Sequence, residues 1–301
     1  MALYDLCIAW NWEHDADFAV LLAEACGAQN VSLLQVTPAN LAETLLALAG
    51  DRVAFRAFFD RASDADEAFL PLAEWASRRA PLRINARERA ARAWDKAAMH
   101  QVLSVYLLTP VTLILPPHDE QPDLPPLNLS ALGGRFTIKP AHGGGGEGVV
   151  MEAMTLEQVL AARRERPSDR YLLQAHIAPA QIGERPAWFR VLFCAGRAYP
   201  CWWDPRSHTY VLVTMEEESA HGLSALRETV TAIAQVCGLD LFSTEVALEP
   251  GRRFVVVDYV NDPVDLRLQA RTPEGVPDAI VRNIAERLAD LVKGNRDGIR
   301  E

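Results

Sequence analysis

Residues 136–150 have the sequence FTIKPAHGGGGEGVV, and the fold is inferred outward from this stretch. The apolar, β-branched residues 136–138 predict a strand, and residues 149–151 predict its antiparallel partner. Glycine tolerates positive φ and lets a ligand approach the backbone closely, so the loop between them can surround a polyphosphate with its amide groups. The glycines predicted to bind phosphate are Gly143, Gly144, Gly145, Gly146 and Gly148.

Two side chains beside this loop carry nitrogen donors. Lys139 precedes the loop and supplies a compact cation for phosphates. His142 lies at its mouth, where it contacts a phosphate or is simply solvated. The spacing differs from the common nucleotide motifs, because no Gly-Lys-Ser/Thr opens a helix and a strand follows the loop. The alternative is a plain hairpin tip, but such a tip needs only about two to five residues.

The composition is that of an ordinary globular protein. The chain has 301 residues, half of them hydrophobic, which suffices for two or three domains. A net charge of -10 argues against nucleic-acid or membrane-surface partners, which need a basic face. The five cysteines are scattered without Cys-x-x-Cys spacing, so they predict neither a disulfide framework nor a zinc site. With no basic leader and no membrane-length apolar run, we expect a cytoplasmic protein.

Strands and helices alternate along the first 60 residues or so. This alternation predicts a small doubly wound α/β unit. Trp10, Trp12, His14 and Asp15 follow the first strand, where open α/β sheets bind ligands. Either these residues face a substrate, or Trp10 and Trp12 form a capped, buried pair. The predicted strands are 4–10, 31–36 and 53–59, and the predicted helices are 16–27 and 40–49.

The rest of the chain predicts an α+β organisation with antiparallel strands. Residues 189–194, 196–203 and 210–214 predict a meander, and 242–248 with 254–260 predict a hairpin. A proline-rich surface loop is expected at 116–126. Helices are predicted at 64–78, 86–103, 155–163, 219–237 and 276–293, and further strands at 82–85, 111–115 and 171–177.

Charged residues interrupt the apolar strands at three places. Glu245 and Asp258 fall on neighbouring predicted strands and can share a hard cation with an amide oxygen. The alternative is that they edge a solvated face, but an unpaired carboxylate inside an apolar run is costly. Arg190 requires an anionic partner, either a bound anion or one of these two carboxylates.

These elements, in this order, resemble the ATP-grasp superfamily, which includes D-alanine–D-alanine ligase, glutathione synthetase and the ligases that add glutamate to ribosomal protein. The resemblance covers nearly the whole chain. It implies a Rossmann-like N-terminal α/β domain at 1–92 and two α+β subdomains, 93–172 and 173–301, that clasp ATP. The matching motifs are 84–85 with 94–96, 136–150, 172–177, and 242–245 with 257–263.

The resemblance also implies the ligands of the nucleotide. Lys96 joins Lys139 and the glycine loop on the phosphates. The ribose is assigned to Glu184, with Gln181 as the other nearby polar residue. The residues expected to hold adenine are Gln174, Ala175, His176 and Ile177.

The implied Mg²⁺ site has Glu245 and Asp258 as ligands and a third ligand whose position is open. The family pattern Glu-x-Asn-x-x-Pro would place the asparagine at Val260. Asn261 comes one residue late, so either a bulge brings it to the metal or Asp262 substitutes.

The implied activity is that of an ATP- and Mg²⁺-dependent ligase, which joins a carboxylate to an amine through an acyl phosphate. Arg190 corresponds to the family arginine at the transferred phosphoryl group, and Arg267 is a second anion-binding candidate. The expected partners are small-molecule or peptide substrates, and the oligomeric state is open. The N-terminal unit and residues 204–218 are expected to shape the substrate site. The alternatives are a kinase that phosphorylates a small alcohol and an inactive nucleotide sensor.

Overall fold

The N-terminal third of the chain forms a parallel sheet. In the computed structural model, which describes residues 1–298, its strand order is β2-β1-β3-β4. One face of this sheet is covered by α1 and the other face by α2 and α3. The alternation of strands and helices in the sequence predicts this arrangement. The strands are β1 (Ala2–Trp10), β2 (Leu33–Val36), β3 (Val53–Arg61) and β4 (Leu82–Ile84), and the helices are α1 (Ala16–Ala28), α2 (Leu41–Ala49) and α3 (Leu70–Arg79).

An antiparallel sheet of four strands carries the glycine loop. Two helices, α4 (Arg87–Trp94) and α5 (Lys96–Leu103), precede it. Its strand order is β5-β8-β6-β7, and α6 packs on one face against Phe136, Ile138 and Leu173. The opposite face is therefore left for the ligand cleft. The elements are β5 (Thr112–Leu115), β6 (Phe136–Pro140), β7 (Val150–Ala153), α6 (Leu156–Glu165) and β8 (Tyr171–Ala175).

A second antiparallel sheet, of five strands, forms the other wall of the cleft, with the strand order β13-β12-β11-β14-β15. The predicted meander and hairpin are thus parts of one sheet. Its elements and those around it are β9 (Gln181–Ile182), β10 (Arg185–Pro186), β11 (Trp188–Cys194), β12 (Arg197–Asp204), β13 (Thr209–Leu212), α7 (Met215–His221), α8 (Ala225–Cys237), β14 (Leu241–Leu248), β15 (Phe254–Asn261) and α9 (Asp278–Arg296).

The five-stranded sheet has two differently covered faces. One face packs on α4, α5 and α8 through residues such as Val191 and Phe193. The other packs at one end on α9 and the N-terminal unit, through residues such as Leu192 and Cys194. The remaining part of this second face is free to line a cleft. Within residues 1–298, no helix is both long and apolar enough to cross a membrane.

Two helices predicted as continuous are each divided in two. The helix predicted at 86–103 breaks at Asp95, whose extended backbone lets its carboxylate accept hydrogen bonds from the Ala97 and Ala98 amides. The helix predicted at 219–237 breaks at Gly222, which is left-handed and ends α7. Both predictions were wrong on this point because apolar periodicity does not reveal a cap inside an apolar pattern.

The predicted domain boundaries at 92/93 and 172/173 fall inside α4 and β8. β8 pairs on both sides within the four-stranded sheet. The three-part division of the chain stays a prediction.

Candidate active site

A cleft with a volume of about 510 Å³ lies between the two antiparallel sheets and the glycine loop. Most of the residues predicted from the sequence line it. The loop between β6 and β7 closes one side, and the second face of the five-stranded sheet closes the other. The predicted residues that line the cleft are Lys96, Lys139, Gly143, Gly144, Gly145, Gly146, Gln174, Ala175, His176, Ile177, Arg190, Glu245, Asp258, Asn261 and Arg267.

Three charged residues form a row across the five-stranded sheet. Asp258 on β15 lies directly opposite Glu245 on β14, and Glu245 lies directly opposite Arg190 on β11. Directly opposed residues project to the same face of a sheet, so all three side chains point into the cleft. The predicted antiparallel pairing of the two acidic strands is present.

Arg190 pairs with one of the two carboxylates that its sequence allowed as partners, and it also lines the cleft. Its Nη1 lies 3.4 Å from Glu245 Oε1, and its Nε donates to Ser243 Oγ at 3.1 Å. Burial raises the pKa of Glu245, while the Arg190 charge opposes that rise. The ion pair therefore favours the charged form of Glu245 at the cleft wall and leaves Arg190 lining the cleft beside it.

A bulge in β15 places Asn261, one of the candidates for the third metal ligand, at the cleft. One residue lies between Ser243 and Glu245 on β14, whereas two residues lie between their partners Asn261 and Asp258 on β15. The extra residue is the predicted irregularity, and it lets Asn261 line the cleft. Val260 is instead buried in the core.

Asp262, the other candidate, points away from the cleft. Asn85 Nδ2 donates to its Oδ1 at 2.8 Å, and Trp94 Nε1 donates to its Oδ2 at 3.3 Å. Burial raises the pKa of Asp262 to about 6. Asn85 also bonds the backbone of Asp240 and Leu241, so it joins structural elements rather than facing the cleft.

The donor set at this wall suits a hard cation. The Asp258 carboxylate has no hydrogen-bond or ion-pair partner within residues 1–298, and Asn261 uses its amide nitrogen on the Ser243 carbonyl at 3.5 Å. That leaves the Asn261 amide oxygen free to act with the two carboxylates. The described part of the chain holds no cluster of three acidic, histidine or cysteine side chains able to hold a metal. Mg²⁺ held with phosphate and water needs only one or two carboxylates, so these residues fit it.

Two lysines approach the cleft from the side of the glycine loop. Lys96 begins α5 and donates to the Gly143 carbonyl. Burial lowers the pKa of Lys96, and the Asp258 charge opposes this. Lys139 donates to the Val257 carbonyl at 3.2 Å. The two ammonium groups face the cleft from different elements, as a polyphosphate would require.

The glycine loop rests on Arg166, the residue that follows α6. Arg166 Nη1 donates to the His142 carbonyl at 3.1 Å, and its Nη2 lies 2.8 Å from Glu147 Oε1. A Cβ on Gly143 would lie 2.8 Å from the Arg166 guanidinium, and φ at Gly143 is +120°. The positive φ therefore requires glycine at this position, whereas a Cβ would only displace the end of the Arg166 side chain.

Three residues predicted for the nucleotide do not line the cleft. His142 is turned toward Asp169, with Nδ1 and Oδ1 2.9 Å apart, and therefore holds the base of the loop. Gly148 packs beside Pro140. Glu184 lies in the exposed turn between β9 and β10. The ribose role of Glu184 has no support in this geometry.

A buried glutamine closes the end of the cleft predicted for adenine. Gln174 is 2% exposed, and its Nε2 donates to the Tyr259 hydroxyl at 2.9 Å. Within residues 1–298 its Oε1 has no hydrogen-bond partner. An unpaired buried acceptor suits the amino group of an adenine.

The end of the cleft farther from the glycine loop is aromatic and charged. Arg267 is held by Asp265, with Nη2 to Oδ2 at 2.7 Å, and by Glu274 at 3.6 Å. It also lies 5.6 Å from the ring centre of Trp12, which is 39% exposed. This end of the cleft thus adjoins the N-terminal unit, as expected for the substrate site.

Sequence reasoning missed several residues at this end, although Pro205, His208 and Tyr210 fall within the expected segment 204–218. Strand pairing carried a signal: Arg190 lies opposite Cys201 on β12, so Trp203 is its diagonal neighbour. The lining residues that were not predicted individually, at this end and elsewhere in the cleft, are Pro110, Thr137, Pro140, Glu147, Val149, Met151, Trp188, Trp203, Pro205, His208, Tyr210, Val257, Asp265 and Glu274.

The sequence of the chain matches no protein-family model and no curated protein sequence. Its fold, in contrast, matches solved structures. A RimK-domain ATP-grasp protein from Sphaerobacter thermophilus matches with a TM-score of 0.62 and 21% identity, over 95% of this chain and 98% of that one. D-alanine–D-alanine ligase from Bacillus anthracis, complexed with ATP, matches with a TM-score of 0.62 and 11% identity over 100% of both chains. The ATP-grasp ligase PsnB, complexed with a minimal precursor, Mg and ADP, matches with a TM-score of 0.61 and 13% identity, over 97% and 98%.

The chain therefore has the ATP-grasp fold, as the resemblance in its sequence implies. Its length corresponds to nearly the whole of each of these structures.

Proposed function

We propose that the chain is an ATP- and Mg²⁺-dependent ligase that joins a carboxylate to an amine through an acyl phosphate. The observation that carries this proposal is the row Asp258–Glu245–Arg190, which faces the glycine loop and two lysines across one cleft. Cations on one side and a metal-binding wall on the other are what the transfer of a phosphoryl group requires.

In this proposal different residues of the cleft bind the adenine, the phosphates and the metal ion. Gln174 receives the adenine, and Lys96, Lys139 and the loop amides hold the phosphates. Glu245, Asp258 and Asn261 hold the ion. Mg²⁺ bound there supplies the charge neutralisation that phosphoryl transfer needs.

Arg190 lies beside the proposed metal ligand Glu245, where it can bind the carboxylate that receives the phosphoryl group. A guanidinium binds such a planar anion through two parallel hydrogen bonds. Because this chemistry rests on positioning and charge, the protein needs no covalent intermediate of its own. The solved structures of this fold support the assignment, since one holds ATP and another holds a precursor with Mg and ADP.

The acceptors in the proposal are a carboxylate and an amine, either small molecules or groups of a peptide. The test incubates the purified chain with Mg-ATP, hydroxylamine and pools of amino acids, dicarboxylates and short peptides. Formation of ADP together with a hydroxamate identifies an activated carboxylate and supports the ligase.

Other results would favour the alternatives. ADP formed only with alcohols, and without a hydroxamate, would indicate a kinase. Nucleotide binding without turnover of any acceptor would indicate a sensor. Asp258→Asn serves as the control for contaminating ATPases, because it removes a proposed metal ligand.

A further inference from the structure

The four-residue turn between β12 and β13 carries His208 to the far end of the cleft. Asp204 pairs with Thr209, so residues 205–208 form the turn, and His208 lines the cleft at its last position. Its φ is +55°, a left-handed conformation that glycine or asparagine adopts more readily. Histidine is among the non-glycine residues that occur there more often than most, so the turn accommodates it and holds its side chain at the cleft.

The His208 ring is held by stacking and not by hydrogen bonds. It lies parallel to the Trp203 ring within 3°, with 5.7 Å between the ring centres. The Trp203 ring also contacts Arg190, whose guanidinium carbon is 4.8 Å from the ring centre. Trp203 is 7% exposed, so it is a fixed platform that places His208 and Arg190 at the same end of the cleft.

Both ring nitrogens of His208 are available to a ligand. Within the described part of the chain they make no hydrogen bond, and the ring is exposed. The other groups at this end of the cleft that could accept a proton either form ion pairs or stay protonated. Asp265 and Glu274 are paired with Arg267, and burial raises the pKa of Tyr210.

We propose that His208 is a catalytic residue, the base that removes a proton from the attacking amine; this inference rests on the proposed ligase function. An ammonium has no lone pair, so the imidazole first takes one proton from it and passes that proton to water, which leaves the neutral amine. The amine nitrogen forms the new C–N bond at the acyl carbon while the C–O bond to the phosphate breaks. The phosphate leaves with that electron pair and takes up the second nitrogen proton.

The test compares two nucleophiles in His208→Asn, using a carboxylate identified by the hydroxamate assay. Asparagine keeps the left-handed backbone conformation accessible, so the turn is retained. Hydroxylamine is largely unprotonated near neutral pH and needs no base, whereas a primary alkyl amine does. Amide formation with the alkyl amine should fall by about 10²–10⁴-fold. Hydroxamate formation should change little, and added imidazole should restore part of the amide formation.

The matched control is His221→Asn, which alters a histidine outside the cleft and should leave both reactions unchanged. An equal loss with both nucleophiles, or no loss with either, overturns the role of His208 while the ligase function stands. The absence of ADP formation by the wild type with every acceptor overturns the ligase function, and this inference with it.

Discussion

Lys139 lies where β6 leads toward the glycine loop, and its ammonium is 3.2 Å from the Val257 carbonyl oxygen. Lys139→Ala should weaken the binding of a nonhydrolysable ATP analogue by about 10–150-fold, because charge-assisted phosphate contacts contribute about 1.5–3 kcal/mol. Calorimetry with Mg²⁺ present measures this. Arg135→Ala, an exposed cation on the same sheet paired with Glu152, should leave the affinity unchanged. Equal affinity in wild type and Lys139→Ala would remove Lys139 from the phosphate site.

Replacing Asp258 should affect the turnover of ATP far more than its binding. Asp258→Asn should retain much of the nucleotide affinity, because the lysines and loop amides remain. It should abolish Mg²⁺-dependent ADP formation, since the ion stabilises charge that develops only in the transition state.

The bulge in β15 makes a further comparison within the same experiment. Asn261→Ala should give a milder form of the Asp258→Asn defect, whereas Val260→Ala should not. Val260 is buried, so its truncation costs about 1 kcal/mol of stability without touching the cleft. A nucleotide-bound structure in which neither Glu245 nor Asp258 contacts the ion would contradict this assignment.

At the scale of elements, two neighbouring glycines of the loop differ in a testable way. Gly143 has φ +120°, and a Cβ there would lie 2.8 Å from the Arg166 guanidinium, whereas a Cβ on Gly144 meets nothing within 4 Å. Gly143→Ala should therefore displace Arg166 and weaken nucleotide binding, while Gly144→Ala should bind almost as the wild type does.

Hydrogen exchange of the loop gives a second measurement, which is independent of nucleotide affinity. In the wild type, residues 142–148 should become protected when Mg-ATP is added, because glycine loses much conformational freedom on ordering. Gly143→Ala should reduce that protection. Exchange that is unaffected by saturating Mg-ATP would show that the loop does not close on phosphates.

At the scale of the whole molecule, the arginine of a buried ion pair in the N-terminal unit also bonds the segment after β15. Arg61 Nη2 lies 2.6 Å from Asp15 Oδ1, both side chains are at most 3% exposed, and Arg61 Nη1 donates to the Val264 carbonyl. Asp15→Asn should lower the free energy of unfolding by about 3–5 kcal/mol, because it leaves a buried guanidinium without its counter-ion.

Urea unfolding measures this loss, and the exposed pair Asp17–Arg271 provides the control. Asp17→Asn should cost at most about 1 kcal/mol. Similar losses in the two variants would show that burial does not determine the importance of the Asp15–Arg61 pair.

The pKa values of the buried cysteines predict how the free energy of unfolding changes at alkaline pH. All five are free and buried, and burial raises the pKa of the Cys26 and Cys237 thiols from 9.0 to about 11. The unfolded state releases these protons near pH 9 and the folded state only near pH 11. The free energy of unfolding therefore keeps its full value below pH 9 and falls between pH 9 and pH 11.

Each of these two thiols should account for about 2–3 kcal/mol of that fall. Urea unfolding under reducing conditions should show a shallower decline in Cys237→Ala than in the wild type. Identical slopes in the two proteins would contradict the raised pKa of Cys237.

The sequence by itself determined the features that depend on neighbours along the chain. The glycine loop, the lysine before it and the acidic hairpin strands belong to segments joined by short connections, so pattern and turn chemistry fix their pairing. The family pattern pointed to an irregularity near Asn261 but left open whether a bulge or Asp262 accounts for it, and the structure shows the bulge. It did not reveal the cap at Asp95 inside an apolar helical pattern.

Only the tertiary structure decided which side chains far apart in the sequence meet. Arg267 lies against Trp12, and Asp15 is buried against Arg61, although the sequence left it open whether Asp15 faces a substrate. His142 carries a group that phosphate would accept, yet it pairs with Asp169, and Glu184 lies in an exposed turn outside the cleft. The physical reason is that periodicity fixes the face on which a residue lies, whereas the partner of that face is chosen by the packing of whole sheets far apart in the chain.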